Sequence, residues 1–124
     1  MLYYLNNCKN LRHAMIYGGS AIFDLWAEGF EDNRARAMAP GDTCLVASRA
    51  GNGRIEFAWY QFTKNRLLSA SVTQPKAVWV IEGSLERSET LPRQAAIQHA
   101  NYSRFFNKKG HFNQWSVLRD ACPV

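Results

Sequence analysis

The chain is poor in the features that indicate a disulfide framework, a metal site or a membrane span. Its three cysteines are odd in number, and neither they nor the three histidines stand at spacings typical of zinc ligands. No apolar run exceeds five residues, as in the run from Ala77 to Ile81, so no membrane-spanning helix is predicted. The N-terminus lacks the basic and then apolar pattern of a secretory signal. We therefore expect a cytoplasmic protein that holds no metal and no cofactor and does not contact a membrane.

Motifs of catalysis are equally scarce. The chain contains no GxSxG nucleophile motif, no HExxH motif and no GxxxxGK[ST] phosphate-binding loop. Cys44 falls in the middle of a predicted strand, where a small buried side chain is the simpler interpretation. We accordingly predict that the protein is not an enzyme.

The chain is rich in aromatic residues and in positive charge. Its 124 residues are 47% hydrophobic and include 4 Trp, 5 Tyr and 7 Phe. This composition, without a linker or a repeat, predicts a single folded domain over residues 1–124. Lys and Arg number 15 against 10 for Asp and Glu, which gives a net charge of +5. Such an excess favours polyanionic partners, DNA or RNA above all.

The pattern of apolar residues and turn signals predicts a mixed α+β fold in the order β-α-β-β-β-α-β. Strands are predicted at residues 1–5, 43–48, 55–63, 77–82 and 115–119. Helices are predicted at 20–29, with Ser20 as N-cap, and from Thr90 to about 107, with a further helical turn at 33–38. The second helix is expected to bury Leu91, Ala95, Tyr102 and Phe106 on one side.

Residue types also specify two turns and the burial of the longest strand. Asn52-Gly53 predicts a hairpin turn, and Pro40-Gly41 predicts a type II turn before the hairpin. Apolar residues occupy both alternating sets of the strand 55–63, so both of its faces are expected to be buried. Arg49 and Arg54 flank the hairpin turn, where they are either solvated or placed to hold a nucleic-acid backbone.

Two interpretations stay open for the tryptophans and for the other basic residues. Each tryptophan is either a core residue or, at the open end of a small barrel, a platform on which a base stacks. The four are Trp26, Trp59, Trp79 and Trp115. Two basic clusters, one at 34–36 and one at 104–109, are either solvated and helix-stabilising or part of a phosphate-binding rim.

One segment resembles a known family. In the PUA-like superfamily, EVE-type domains related to the YTH readers begin with a strand of the form Tyr-Trp-Leu. A tryptophan, a glycine, an asparagine and the motif Arg-Ala-Met-x-x-Gly-Asp follow. This chain has Tyr3-Tyr4-Leu5, then Trp26, Gly29 and Asn33, then Arg36-Ala37-Met38-Ala39-Pro40-Gly41-Asp42. Tyr4 replaces the family's tryptophan, and Val46-Ala47-Ser48 stands where the family has Tyr-His-Ser.

The resemblance implies a small PUA-like β-barrel of about five to six strands flanked by two or three helices. It also implies a pocket for a modified base flipped out of DNA or RNA. Tyr4 and Trp26 would then be pocket aromatics, Asn33 a hydrogen-bonding group and Ser48 a residue at the pocket mouth. From charge alone, we add as phosphate-binding residues Arg34, Arg36, Arg49 and Lys109.

The expected function is therefore a non-catalytic nucleic-acid reader of a modified base, in prokaryotic or phage defence or in RNA metabolism. One alternative is an ASCH-type hydrolase of a modified nucleoside, for which the chain lacks a GxKxxTxR-like run. The other alternative is a protein-interaction module, such as a phage-encoded inhibitor.

Overall fold

The protein is built around one mixed sheet of seven strands, in the order β2-β3-β6-β5-β4-β1-β7. The structure, a computed structural model, describes residues 1–6, 8, 14–17, 20–27, 37–70, 77–115 and 117–119. The strands are β1 (Leu2–Asn6), β2 (Ala14–Tyr17), β3 (Ser20–Ala27), β4 (Thr43–Ala50), β5 (Arg54–Ala70), β6 (Ala77–Pro92) and β7 (Val117–Arg119). A helix, α1 (Arg93–Gln98), and a 3-10 turn, Ser103–Phe105, lie between β6 and β7.

A long hairpin of β5 and β6 organises this sheet. The two strands pair from Arg54 opposite Pro92 to Ala70 opposite Ala77, with three irregularities of register along the way. β4 pairs with the first half of β5, whereas β3 pairs with the first half of β6. β1 joins β4 in parallel, and β7 pairs antiparallel with β1.

The prediction of an α+β barrel with two or three flanking helices is wrong. Within the described residues, β2 and β7 are the two edges and do not pair with each other, so the sheet is open. The predicted helix at 20–29 is instead strand β3, which pairs along its whole length with β6. The run SAIFDLWA contains Ile, Phe and Trp, which fit a pleated surface well, and the long-range pairing decides between the two conformations.

The second predicted helix is much shorter than its pattern indicated. Thr90 still belongs to β6, where it pairs with Glu56, so α1 begins only after Pro92. The helix ends at Gln98 because His99 is extended and its Nδ1 accepts a hydrogen bond from the backbone N–H of Asn101 at 3.1 Å. The predicted turn of helix at 33–38 lies largely outside the described residues.

The hairpin prediction is confirmed. β4 and β5 pair on either side of residues 51–53, and Asn52 and Gly53 have positive φ angles of 64° and 70°. Gly41 also has a positive φ, of 95°, as the predicted type II turn requires. The strands predicted at 1–5, 77–82 and 115–119 correspond to β1, to part of β6 and to β7.

Both faces of the central strands are buried, as the alternation predicted. On one face Leu45, Ile55 and Phe57 pack beneath α1 and the 3-10 turn, where Phe57 and Tyr102 stack at 3.8 Å between ring centroids. On the other face the largest buried side chains include Tyr3, Val46, Tyr60 and Phe62, each exposed by 2% or less. No helix in the described ranges is long and apolar enough to cross a bilayer.

Candidate anion-binding site

A cavity of about 310 Å³ lies at the turn end of the β4–β5 hairpin. Its lining consists of Arg49, Ala50, Gly53, Arg54, Ile55, Arg93 and Phe112. Three of these seven residues are arginines, and we call the site the three-arginine cavity. It lies on the same sheet face as the core beneath α1, because Arg49 pairs with the core residue Ile55.

The pairing of strands brings the three arginines together. Arg49 is near the end of β4, and Arg54 begins β5 just after the turn. Arg54 pairs with Pro92 at the end of β6, and Arg93 follows as the first residue of α1. Residues of two strands and a helix therefore line one cavity, and the charges of Arg49 and Arg93 both act on the same buried thiol, that of Cys8.

Two of the arginines are oriented by main-chain acceptors. Nη2 of Arg54 donates a hydrogen bond to the carbonyl oxygen of Thr90 at 3.2 Å. Nη2 of Arg93 donates to the carbonyl oxygen of Gly110 at 2.5 Å, and its Cζ lies 5.3 Å from the centroid of the Phe112 ring. These contacts use only part of the donor capacity of each guanidinium, since arginine carries five N–H groups.

The cavity is strongly electropositive. Among the described residues, no carboxylate lies within 4.0 Å of any of the three guanidinium groups. The ion pairs between described residues join Met1 to Asp42 and Lys64 to Glu82, and none of these four residues lines the cavity. The field of Arg49 and Arg93 also reaches the buried thiol of Cys8. Burial raises the pKa of this thiol from 9.0 to about 12, against the opposing effect of the two guanidinium groups. The thiol therefore stays protonated near neutral pH.

Of the four residues predicted to form a base pocket, only Tyr4 and Ser48 have side chains within the described part of the structure. Tyr4 is 6% exposed in the core, where its ring centroid lies 5.6 Å from that of Phe105. Tyr4 pairs with Leu45, and strand alternation puts Ser48 on the opposite face of β4 from Leu45. Trp26 lies in β3, of which only the backbone is described, and Asn33 lies outside the described residues.

Of the four residues predicted to bind phosphate, one lines the cavity, one lies outside it and two are outside the described residues. Arg49 lines the three-arginine cavity, whereas Lys109 is an exposed residue of the loop that leads to Phe112. Arg34 and Arg36 lie outside the described residues. The prediction did not include Arg93, whose place depends on the distant pairing of β5 with β6.

A second group of aromatic and charged residues forms a network on the same sheet face. The indole Nε1 of Trp59 donates to the Tyr102 hydroxyl at 3.4 Å, and this hydroxyl donates to a carboxylate oxygen of Glu89. The guanidinium of Arg87 lies over the Trp59 ring, 4.5 Å from its centroid. Since Arg87 covers one face of the indole, Trp59 has a structural role in this arrangement.

No metal site accompanies the cavity in the described part of the chain. The described part of the chain contains no group of three or more His, Cys, Asp or Glu residues that could hold a metal ion. Comparison with protein-family models, with curated proteins and with solved structures finds no match. The functional conclusion therefore rests on the geometry and charge of the three-arginine cavity.

Proposed function

We propose that the protein is a non-catalytic nucleic-acid-binding domain whose three-arginine cavity holds a phosphate group of the strand. The observation that carries this proposal is that three arginines line one cavity and have no carboxylate partner among the described residues. A guanidinium fork forms parallel hydrogen bonds with phosphate oxygens, and these charge-assisted bonds are the strong ones. The net charge of +5 adds attraction at longer range.

A purely structural role explains the cavity less well. The like charges of these arginines repel one another, and water screens this repulsion in part because Arg49 and Arg54 are exposed. Arg54 and Arg93 gain a carbonyl contact each, which satisfies one donor and leaves the charge uncompensated. Arginines with unused donors and no carboxylate partner around one cavity are typical of an anion-binding site.

The test is a binding titration, by fluorescence anisotropy, with labelled single- and double-stranded DNA and RNA oligonucleotides. We expect binding at low salt, with log affinity falling by ~0.7–0.9 per neutralised phosphate for each unit of log salt concentration. Replacing Arg49 by Gln, or Arg93 by Gln, removes charge-assisted hydrogen bonds and should weaken binding by about tenfold or more.

The matched control is Arg87→Gln, which removes the same charge on the same sheet face but outside the cavity. We expect it to weaken binding much less than Arg49→Gln. Equal losses in the two variants would show attraction by net charge alone, and absence of binding to every oligonucleotide at low salt would refute the proposal. Lys109→Gln measures in the same assay whether the neighbouring loop contributes, as its charge predicted.

The finer proposal, a reader of a modified base in a prokaryotic or phage cytoplasm, is supported by the resemblance to EVE-type domains. It predicts that oligonucleotides with modified bases bind more tightly than plain ones of the same sequence. It also predicts that this preference disappears in Trp26→Ala and Asn33→Ala while the fold is kept. A titration with modified and plain oligonucleotides, combined with circular dichroism of each variant, measures both effects.

A further inference from the structure

We infer that the three-arginine cavity takes a terminal phosphomonoester, the phosphorylated end of a strand, in preference to a phosphodiester within the strand. The inference rests on the proposed function, because it assumes that a nucleic acid is the partner. Beyond the proposed function, we specify which phosphate of the nucleic acid the cavity binds. The two kinds of phosphate differ in charge, in the number of free oxygens and in the space around them.

The charge and the donors of the cavity match a monoester. A terminal phosphate carries about −1.5 to −2 charges near neutral pH and has three strong acceptor oxygens. A phosphodiester carries a single negative charge, as each phosphate of a strand does. Arg49 and Arg93, whose charges both act on the Cys8 thiol, supply two guanidinium groups and therefore two positive charges, and Arg54 lines the same cavity. A diester would leave part of this positive charge without a counter-charge.

The cavity is also small. Its volume of about 310 Å³ is near the lower end of the ~300–1,000 Å³ typical of small-molecule sites, which is enough room for a phosphate and one attached sugar. A Cβ atom built at Gly53 would meet nothing within 4 Å, so the turn residue leaves space on its side. Ile55 and Phe112 provide an apolar wall, and Phe112 is fixed by stacking on Phe106 at 5.0 Å. The terminal sugar would pack against this apolar wall.

The experiment compares one labelled oligonucleotide with three different ends: a phosphate, a hydroxyl and a methyl phosphate. The methyl phosphate keeps the phosphorus but has one fewer free oxygen and a single charge, which makes it the matched control. Separate series with the 5′ and the 3′ end distinguish the two sources of a terminal phosphate. We expect one phosphorylated end to bind about tenfold or more tightly than both other forms.

The preference must also depend on the cavity. We expect Arg49→Gln and Arg93→Gln to abolish it and Arg87→Gln to keep it. Arg49 is exposed, so its substitution should leave the fold intact even if Arg93→Gln does not fold. Arg93→Lys, which keeps the charge but loses the planar fork, should retain only part of the preference.

The outcomes separate this inference from the proposed function. If all three ends bind equally and Arg49→Gln still weakens them, the nucleic-acid proposal stands and the end preference is refuted. If no oligonucleotide binds but a nucleoside 5′-monophosphate binds and requires Arg49, the monoester assignment stands and the partner is a small nucleotide. If neither oligonucleotides nor the mononucleotide bind, both proposals fail.

Discussion

The Tyr102 side chain combines a packing role with a hydrogen-bonding role, and the two can be separated. Its ring stacks on Phe57, and its hydroxyl links the indole of Trp59 to Glu89. We expect Tyr102→Phe to keep the stacking and to lower the free energy of unfolding by about 1–2 kcal/mol, the cost of the lost hydrogen bonds. Tyr102→Ala should cost about 3–5 kcal/mol, since it also opens a cavity.

Urea unfolding followed by tryptophan fluorescence measures both losses. Glu89→Gln is the companion variant, because it keeps an acceptor oxygen for the Tyr102 hydroxyl and should cost less than Tyr102→Phe. If Tyr102→Phe were as damaging as Tyr102→Ala, the hydroxyl network and not the stacked ring would be the main contribution of this residue.

At the level of single residues, the sequence predicted the lining of the three-arginine cavity only in part. Arg49 and Arg54 flank a turn that Asn52-Gly53 specifies locally, so their proximity follows from a short motif. Arg93 reaches the same cavity through the pairing of β6 with β5, which no local pattern shows. The burial of Tyr4, which was predicted to line a pocket, likewise depends on the distant residues that cover β1.

The backbone conformation of the β4–β5 turn restricts which residue types can occupy it. Gly53 has a φ of 70°, whereas Gly51 has no such requirement, and a Cβ atom at either position would meet nothing within 4 Å. We expect Gly53→Ala to destabilise the protein by about 1–2 kcal/mol, because residues with a Cβ atom are disfavoured in the left-handed region. Gly51→Ala should be close to neutral, or slightly stabilising through the unfolded state.

Thermal unfolding of the two alanine variants tests this contrast. The comparison is clean, since neither substitution introduces a steric clash and the two positions differ in backbone conformation. Equal melting temperatures for the two variants would show that the positive φ of Gly53 carries no cost in this turn.

Elements whose pattern is local were predicted well, and those fixed by distant partners were not. The β4–β5 hairpin has its own turn signal, and its strands lie close to their predicted positions. β3 was assigned to a helix because Ile22, Leu25 and Trp26 recur at helical spacing, yet a short apolar run fits either conformation. In α1 the predicted buried residue Ala95 is exposed and Ala96 is buried, since the helix ends before the predicted pattern is complete.

At the scale of the whole molecule, the long β5–β6 hairpin connects the sheet to the proposed binding site. One end of this hairpin carries β3 and β2, and the other end carries β4, α1 and the three-arginine cavity. The cavity is therefore assembled only when β4, β5 and β6 are paired. An anion in the cavity would contact residues of β4, of β5 and of α1. Because these residues come together only in the folded state, binding should raise the free energy of unfolding of the whole domain.

The pH dependence of stability is also a property of the whole molecule, because buried acidic groups lie on both sheet faces. Burial raises the pKa of the Cys8 and Cys44 thiols from 9.0 to about 12, and it raises the pKa of the Tyr60 and Tyr102 hydroxyls. Above about pH 9 the unfolded chain therefore releases protons that the folded chain retains. The contribution of the thiols to the free energy of unfolding should be constant below about pH 8 and should fall as the pH rises through 9 towards 12.

Each of the two thiols should contribute a loss of about 1 kcal/mol between pH 9 and 10, where the unfolded thiols complete their ionisation, and about 1.4 kcal/mol per pH unit above that. Urea unfolding at pH 7, 9 and 10 in the presence of a reductant measures the decline. Cys8→Ala and Cys44→Ala should each make it shallower, and the double variant should show the sum of the two changes, since the cysteines lie on opposite sheet faces and have no shared partner among the described residues. A free energy of unfolding that stays constant or rises between pH 9 and 10 would contradict the burial of both thiols in the neutral form.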